Sequence, residues 1–219
     1  MRTMAKASMH TALNLLFFTL IGTSVLAMTY DLTHETIAKT VEEEKLKLIT
    51  QIVPNSMFDN DVVKDTVSVA PDPLLGTDNP ITAYRARLQG RPSAVVLESI
   101  APDGYSGKIF LLVAIRDNGD LAGVRVVAHR ETPGLGDYIE IGKGNWIKGF
   151  DGKSLTQYKD GDWKVRKDGG KFDYMAGATI TPRAVVKAVY KTLKYYDQHR
   201  EALFAQAALV TARAGGEKQ

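Results

Sequence analysis

Apolar and polar positions follow four successive patterns along this chain. The first is Thr11–Tyr30, TALNLLFFTLIGTSVLAMTY, twenty residues without a charge. Wound as a helix at 1.5 Å per residue, it spans about 30 Å, the thickness of a bilayer's hydrocarbon core. Arg2, Lys6 and His10 precede it, and Asp31 and Glu35 follow. A basic flank stays cytoplasmic, so the bulk of the chain is expected on the opposite side of the membrane. The alternative reading is a cleaved signal peptide, since Val25-Leu26-Ala27 has small residues near the right places. The second pattern is helical: Ile37, Val41, Leu48 and Ile52 recur at spacings of four and seven, and Leu46, Ile49 and Val53 widen the stripe. Glu42, Glu43, Glu44, Lys45 and Lys47 lie mostly off that stripe, and Pro54 ends it. This reads as a helical stalk or a helix packed on its own domain, with contact to partner proteins as the other possibility.

Residues 55–80 are rich in Asp, Asn and Pro and read as loops with short elements, including a helix near Asn60–Lys64. The third pattern is extended. Ser93–Ile100 (SAVVLESI), Lys108–Arg116 (KIFLLVAIR) and Leu121–His129 (LAGVRVVAH) are rich in branched and aromatic residues. Asp117-Asn118-Gly119-Asp120 between the last two is a hairpin turn, because Asn-Gly tolerates positive φ. The fourth pattern is an amphipathic helix from Pro182 to near Ala212, with room for a break around Gln198–Arg200. Val185, Val186, Val189, Leu193 and Tyr196 form its core stripe, and the polar residues from Thr211 onward should fray. The fold class that follows is α+β: an antiparallel sheet with flanking helices, preceded by one N-terminal transmembrane helix. The expected divisions are a cytoplasmic N-terminus at 1–10, the membrane helix at 11–30, a stalk at 31–54, the domain at 55–212 and a flexible tail at 213–219.

Composition adds exclusions. The chain has 219 residues and no Cys, which removes disulfides, thiolate metal sites, iron–sulfur ligation and a catalytic Cys. Its net charge is +3, and Arg2 and Lys6 carry most of it, so the domain is nearly balanced and no nucleic-acid partner is expected. His10, His34, His129 and His199 lack metal-ligand spacing. Asp160-Gly161-Asp162 fails as a calcium loop, because Lys164 and Arg166 stand where oxygen ligands and the glycine are required. No G-x-G-x-x-G, Walker or G-x-S-x-G sequence is present.

The chemistry-bearing segment is Asp173-Tyr174-Met175-Ala176-Gly177-Ala178-Thr179-Ile180-Thr181-Pro182-Arg183. Thr181 suits a helix N-cap and Pro182 the first helical position. Thr179 then sits on a Gly/Ala turn ahead of helix N–H groups, a place that favours phosphate. Two glycine loops stand upstream. Ala101-Pro102-Asp103-Gly104-Tyr105-Ser106-Gly107 is one. The other is Glu131-Thr132-Pro133-Gly134-Leu135-Gly136-Asp137, whose Pro-Gly suits the centre of a type II turn. Trp146, Tyr158 and Trp163 could stack on a planar ligand but suit core or surface packing better. Lys164, Arg166, Lys167 and Lys171 surround Asp168-Gly169-Gly170 as a basic approach to the segment.

These three segments resemble RnfG, the flavin-bearing component of the Rnf electron-transport complex, over nearly the full length of the chain. Its FMN-binding domain is shared with the C component of the sodium-translocating NADH:quinone reductase. Asp173, Gly177, Ala178 and Thr179 match the family's D-x-x-(S/T)-G-A-T, and Ala176 departs from it where the family has Ser or Thr. The resemblance implies FMN joined through a phosphoester to Thr179, with Ala178, Gly177, Thr181 and Asp173 around the attachment point. It also places Glu131, Thr132, Leu135 and Gly136 beside the isoalloxazine. A Thr hydroxyl is a weak nucleophile unaided, and in the family a separate, magnesium-dependent flavin transferase makes the link. The implied partners are that enzyme, the other proteins of an Rnf-type complex and the bacterial inner membrane, with the domain on the periplasmic side. The implied role is an electron relay in a complex that couples ferredoxin/NAD electron transfer to ion movement. The quinone reductase component, and a membrane-anchored binding protein whose Thr179 stays unmodified, remain as alternatives.

Overall fold

The computed structural model describes residues 2–205. The expected end of the last helix near Ala212 and the tail at 213–219 lie outside the described residues. Helix α1 spans Arg2–Ile52. The chain divides into two compact units, Met1–Lys45 and Leu46–Gln219.

In the first unit, Ser8–Ile37 is long and apolar enough to cross a membrane. Its large apolar side chains, among them Leu16, Phe17, Phe18 and Leu26, are exposed. A helix that is apolar all round finds its partner surface in lipid.

The second unit is built on a five-stranded antiparallel meander: β1 Thr66–Val69, β2 Ile81–Leu88, β3 Arg91–Gly104, β4 Gly107–Arg116 and β5 Leu121–Ala128, in that spatial order. Both faces are covered, so the strands read as near-continuous apolar runs rather than a clean alternation. Paired positions show the division. Ala83, Leu97, Val113 and Val124 lie in one cross-sheet row and belong to the larger core. Helix α2, Ile180–Ala205, packs into that core with Val185, Val186, Val189, Leu193 and Tyr196, the stripe expected from the sequence. The neighbouring row, Tyr84, Val96, Ala114 and Gly123, faces the other way. Ile49, Ile52 and Val53 cover it. A Cβ at Gly123 would stand 2.8 Å from Ile52 Cγ2, so this glycine lets the end of α1 lie against the sheet.

Four expectations change. The stretch near Asn60–Lys64 is a turn rather than a helix, with the Lys64 and Asp65 N–H groups donating to Asp61 O at 3.1 and 2.9 Å. β1, only four residues long, lies within the stretch read as loops, and β2 was hidden because it carries two charges, Arg85 and Arg87. Asp65 neutralises both, with Arg85 Nε at 2.6 Å and Arg87 Nε at 2.8 Å. Residues 101–107 are mostly hairpin, not free loop: β3 and β4 pair as far as Gly104↔Gly107. Helix α2 runs without a break through Gln198–Arg200. A buried Thr192–Ser99 hydroxyl bond of 2.8 Å ties it to β3.

Candidate functional site: a threonine turn clasped by two loops

Thr179 sits between a turn and a helix. The Ala178 N–H donates to Met175 O at 3.1 Å, closing a four-residue turn. Gly177 takes the third place with φ +86°, a conformation costly for any residue with a Cβ. Thr179 O then accepts the Arg183 N–H at 3.3 Å, the first bond of α2. The N-cap position therefore belongs to Thr179 rather than to Thr181, and Pro182 lies inside the first turn rather than opening it. The reason is a competing partner. Thr181, fully buried, turns its hydroxyl away from the helix end and donates to Glu131 Oε2.

Glu131 is the hub of the site. Its carboxylate is buried at 4% exposure, and Oε1 accepts the Ser106 N–H at 3.0 Å. One carboxylate thus joins the β3–β4 hairpin, the loop that follows β5 and the first turn of α2. Two glycines make room for it. A Cβ at Gly104 would meet Glu131 Oε1 at 2.9 Å, and one at Gly136 would meet Glu131 Cβ at 2.9 Å and Thr181 Oγ1 at 3.0 Å. His129 holds the backbone of Glu131: its Nδ1 accepts the Glu131 N–H at 2.9 Å, which leaves the proton on Nε2, 2.5 Å from Glu140 Oε1. No residue forms a salt bridge with Glu131 among the described residues.

The rest of the loop braces itself. Thr132 O accepts the N–H groups of Leu135 at 3.1 Å and Gly136 at 2.9 Å, with Gly134 at φ +76° as the Pro-Gly turn requires. Asp137 Oδ1 accepts the Gly134 N–H at 2.8 Å. Just downstream, two aromatic residues clasp the other side of the threonine turn. Tyr138 Oη accepts the Met175 N–H at 3.3 Å, and Trp146 Nε1 donates to Asp173 O at 2.8 Å. The Asp173 carboxylate meets Arg166 Nε at 3.0 Å on the surface. Arg183 binds Asp168 in a bidentate pair, 2.6 and 2.9 Å, and holds that carboxyl below its usual range.

Thr179 itself is partly exposed, and its hydroxyl makes no hydrogen bond among the described residues. Among those residues, no carboxylate or imidazole is positioned there to take its proton. The three segments that meet at this site also carry uncovered apolar side chains: Tyr105 (68% exposed), Leu135 (49%), Met175 (40%) and Ile180 (44%). Beside Asp173 opens a cleft of about 540 Å³ whose walls include Trp146, Lys153, Tyr158, Arg166, Lys171 and Phe172. A free hydroxyl at a helix N-terminus, uncovered apolar surface and nearby cations suit a group with a phosphate at one end and a planar ring at the other.

The sequence-derived site residues divide accordingly. Gly177, Ala178 and Thr179 form the exposed turn, and Thr132 and Leu135 line the open side of the loop. Glu131, Gly136 and Thr181 form a buried junction beneath them. Asp173 anchors the turn through its backbone. Trp163 is buried in the core, and Tyr158 packs against it. Tyr138 carries no motif signal of its own, and only its place just after the second glycine loop could have pointed to it. Ser106 lies within the first glycine loop, but nothing in the sequence marks its backbone N–H as the donor to Glu131.

This fold and site define a flavin-binding domain on a membrane-type helix: residues 104–194 match the family model of the FMN-binding domain, and residues 3–52 match that of the RnfG N-terminal region. The relatives place it further. The chain is 48% identical over 200 residues to the G subunit of the ion-translocating oxidoreductase complex of Pseudomonas aeruginosa, covering 91% of this chain and 94% of that one. It is 45% identical over 203 residues to the G subunit of the same complex in Vibrio cholerae, covering 93% and 97%. With that of Shewanella loihica it shares 42% over 191 residues, covering 87% and 90%. The chain belongs to the RnfG family, the G subunits of ion-translocating oxidoreductase complexes.

Proposed function

We propose that this protein is the electron-transfer component of an Rnf-type ion-translocating oxidoreductase and carries FMN as a phosphoester on Thr179. The observation that carries the reading is the Thr179 hydroxyl: partly exposed, unpartnered among the described residues and set on a glycine turn at the head of α2. FMN, when bound, supplies reversible electron acceptance and donation. The chain's own residues do the placing. The N–H groups of Ile180 and Thr181 in the first turn of α2 have no helical carbonyl partner, which suits an anionic phosphate, and Pro182 after them supplies no N–H. Thr132 and Leu135 offer a backbone edge and an apolar cover to a planar ring. The unassisted hydroxyl supports attachment by a separate flavin transferase, since a Thr without a base is a poor nucleophile. Tethering also keeps the cofactor where free flavin is scarce and holds it at high effective concentration near its redox partners.

Arg2 and Lys6 before the apolar helix support an inner-membrane anchor with the domain on the periplasmic side. The remaining proteins of the complex are the partners this reading implies. A second reading, an unmodified binding protein, draws on Ala176, which removes a hydroxyl from the turn.

The test is expression with a flavin transferase, followed by in-gel ultraviolet fluorescence of the denatured chain and its intact mass. A fluorescent band heavier by one FMN less one water is the expected outcome. A dark band of unmodified mass would favour the second reading. Protease added to intact spheroplasts should cleave the domain if it faces the periplasm, and leave it whole if it faces the cytoplasm.

A further inference from the structure

We infer that Glu131 is a positioning residue for the flavin, acting through Thr181 and Ser106 rather than by touching the ring; this rests on the covalent reading above. A flavin tethered at Thr179 with its ring against residues 132–135 is held at two places on separate parts of the chain. Only a fixed relation between those places gives the ring one pose. Few direct bonds set that relation. The Thr181 hydroxyl, two residues after the tether, donates to Glu131 Oε2, at the start of the loop meant for the ring. Oε1 fixes the hairpin tip through the Ser106 N–H at 3.0 Å. The carboxylate is buried, closed in by Gly104 and Gly136 and held from behind by His129. It is therefore poorly placed to reach a ligand on the open side of the turn. Removing the acceptor of a purely structural glutamate leaves the Ser106 N–H and the Thr181 hydroxyl without a partner and shows only as lost stability, whereas a positioning role also shows in the pose and potential of the flavin.

Thr181→Val keeps the side-chain shape and removes the donor. Thr181→Ser restores the hydroxyl, and Glu131→Gln keeps the shape and the bond to Ser106 while altering the one to Thr181. Each full-length chain would be expressed in membranes with the flavin transferase and examined for fold by circular dichroism. Covalent loading, visible circular dichroism of the flavin and midpoint potential would then be read. Thr181→Val and Glu131→Gln should fold and shift the flavin, changing the oxidised-to-reduced ratio at a fixed potential about tenfold, or about 30 mV for a two-electron couple. Thr181→Ser should match wild type. A loaded Thr181→Val chain with unchanged spectrum and potential overturns the inference alone. Loss of fold in both Thr181→Val and Glu131→Gln also overturns it, in favour of a structural role. A wild-type chain without covalent flavin overturns the covalent reading and, with it, this inference.

Discussion

Thr179 and Thr181 are two residues apart and do opposite things. The first leaves its hydroxyl unpartnered among the described residues, at a partly exposed turn; the second buries its hydroxyl against a carboxylate 50 residues away. Thr179→Val should abolish covalent flavin and leave the far-ultraviolet circular dichroism unchanged. Flavin still migrating with the denatured variant would sink the assignment. The glycines separate in the same manner. Gly177 has open space where a Cβ would go but a φ of +86°, so Gly177→Ala should cost about 1–2 kcal/mol through the backbone alone. Gly136 has an ordinary φ of −93° and no space. Gly136→Ala should cost about 1–3 kcal/mol by overpacking, and should disturb the Glu131–Thr181 bond as well. Thermal unfolding of the two variants, read beside flavin circular dichroism, separates the two effects: only Gly136→Ala should alter the flavin signal beyond what its stability loss explains.

At the scale of elements, α2 both covers the sheet and carries the threonine at its head. Its fixing bonds therefore matter to the site as well as to the fold. Leu193→Ala should cost about 2–5 kcal/mol, since the side chain is fully buried against the sheet. Nearer the other end, the Tyr196 hydroxyl donates to Arg116 O and Asp117 O at 3.2 Å, pinning the helix to the β4–β5 hairpin. Burial pushes the Tyr196 phenol up to about 12 from its ordinary 10. The folded state thus holds this proton more tightly than the unfolded chain. Its contribution is fully present below pH 10 and is lost as the pH rises from 10 to about 12. Two pK units correspond to about 2–3 kcal/mol. Alkaline unfolding should set in across that window and be reduced in Tyr196→Phe, as read by circular dichroism against pH. A variant that unfolds at the same alkaline pH as wild type would remove Tyr196 as the cause.

For the whole molecule, the sheet has two covered faces, and the second cover comes from the end of α1. A chain starting at Asn55 lacks Ile49, Ile52 and Val53 and exposes the row of Tyr84, Val96 and Ala114. Each lost side chain is worth about 1.5–3 kcal/mol, together of the order of a domain's whole stability. A chain starting at Thr40 retains them. Guanidinium unfolding of the two should give a clear midpoint for the longer chain and a much lower one, or none, for the shorter. Equal midpoints would show that the helix end contributes nothing to the sheet.

Local pattern was enough for what local physics decides. The charge-free run of Thr11–Tyr30, the Asn118-Gly119 turn and the spacing of Val185, Val186, Val189, Leu193 and Tyr196 each express a period, a turn preference or a membrane thickness, none of which needs a distant partner. The three glycine-bearing segments were legible as motifs for the same reason, and the family resemblance followed from them. What stayed hidden depends on residues far apart in the chain. β2 reads as too charged for a buried strand until Asp65 neutralises Arg85 and Arg87. Thr181 reads as an N-cap until Glu131 offers its hydroxyl a better acceptor, which passes the cap position to Thr179. Glu131 reads as a loop residue facing a ligand until Ser106 and Thr181 are seen on its two oxygens. Hydrogen-bond partners and burial are set by which segments meet in space, so only the tertiary structure could decide them.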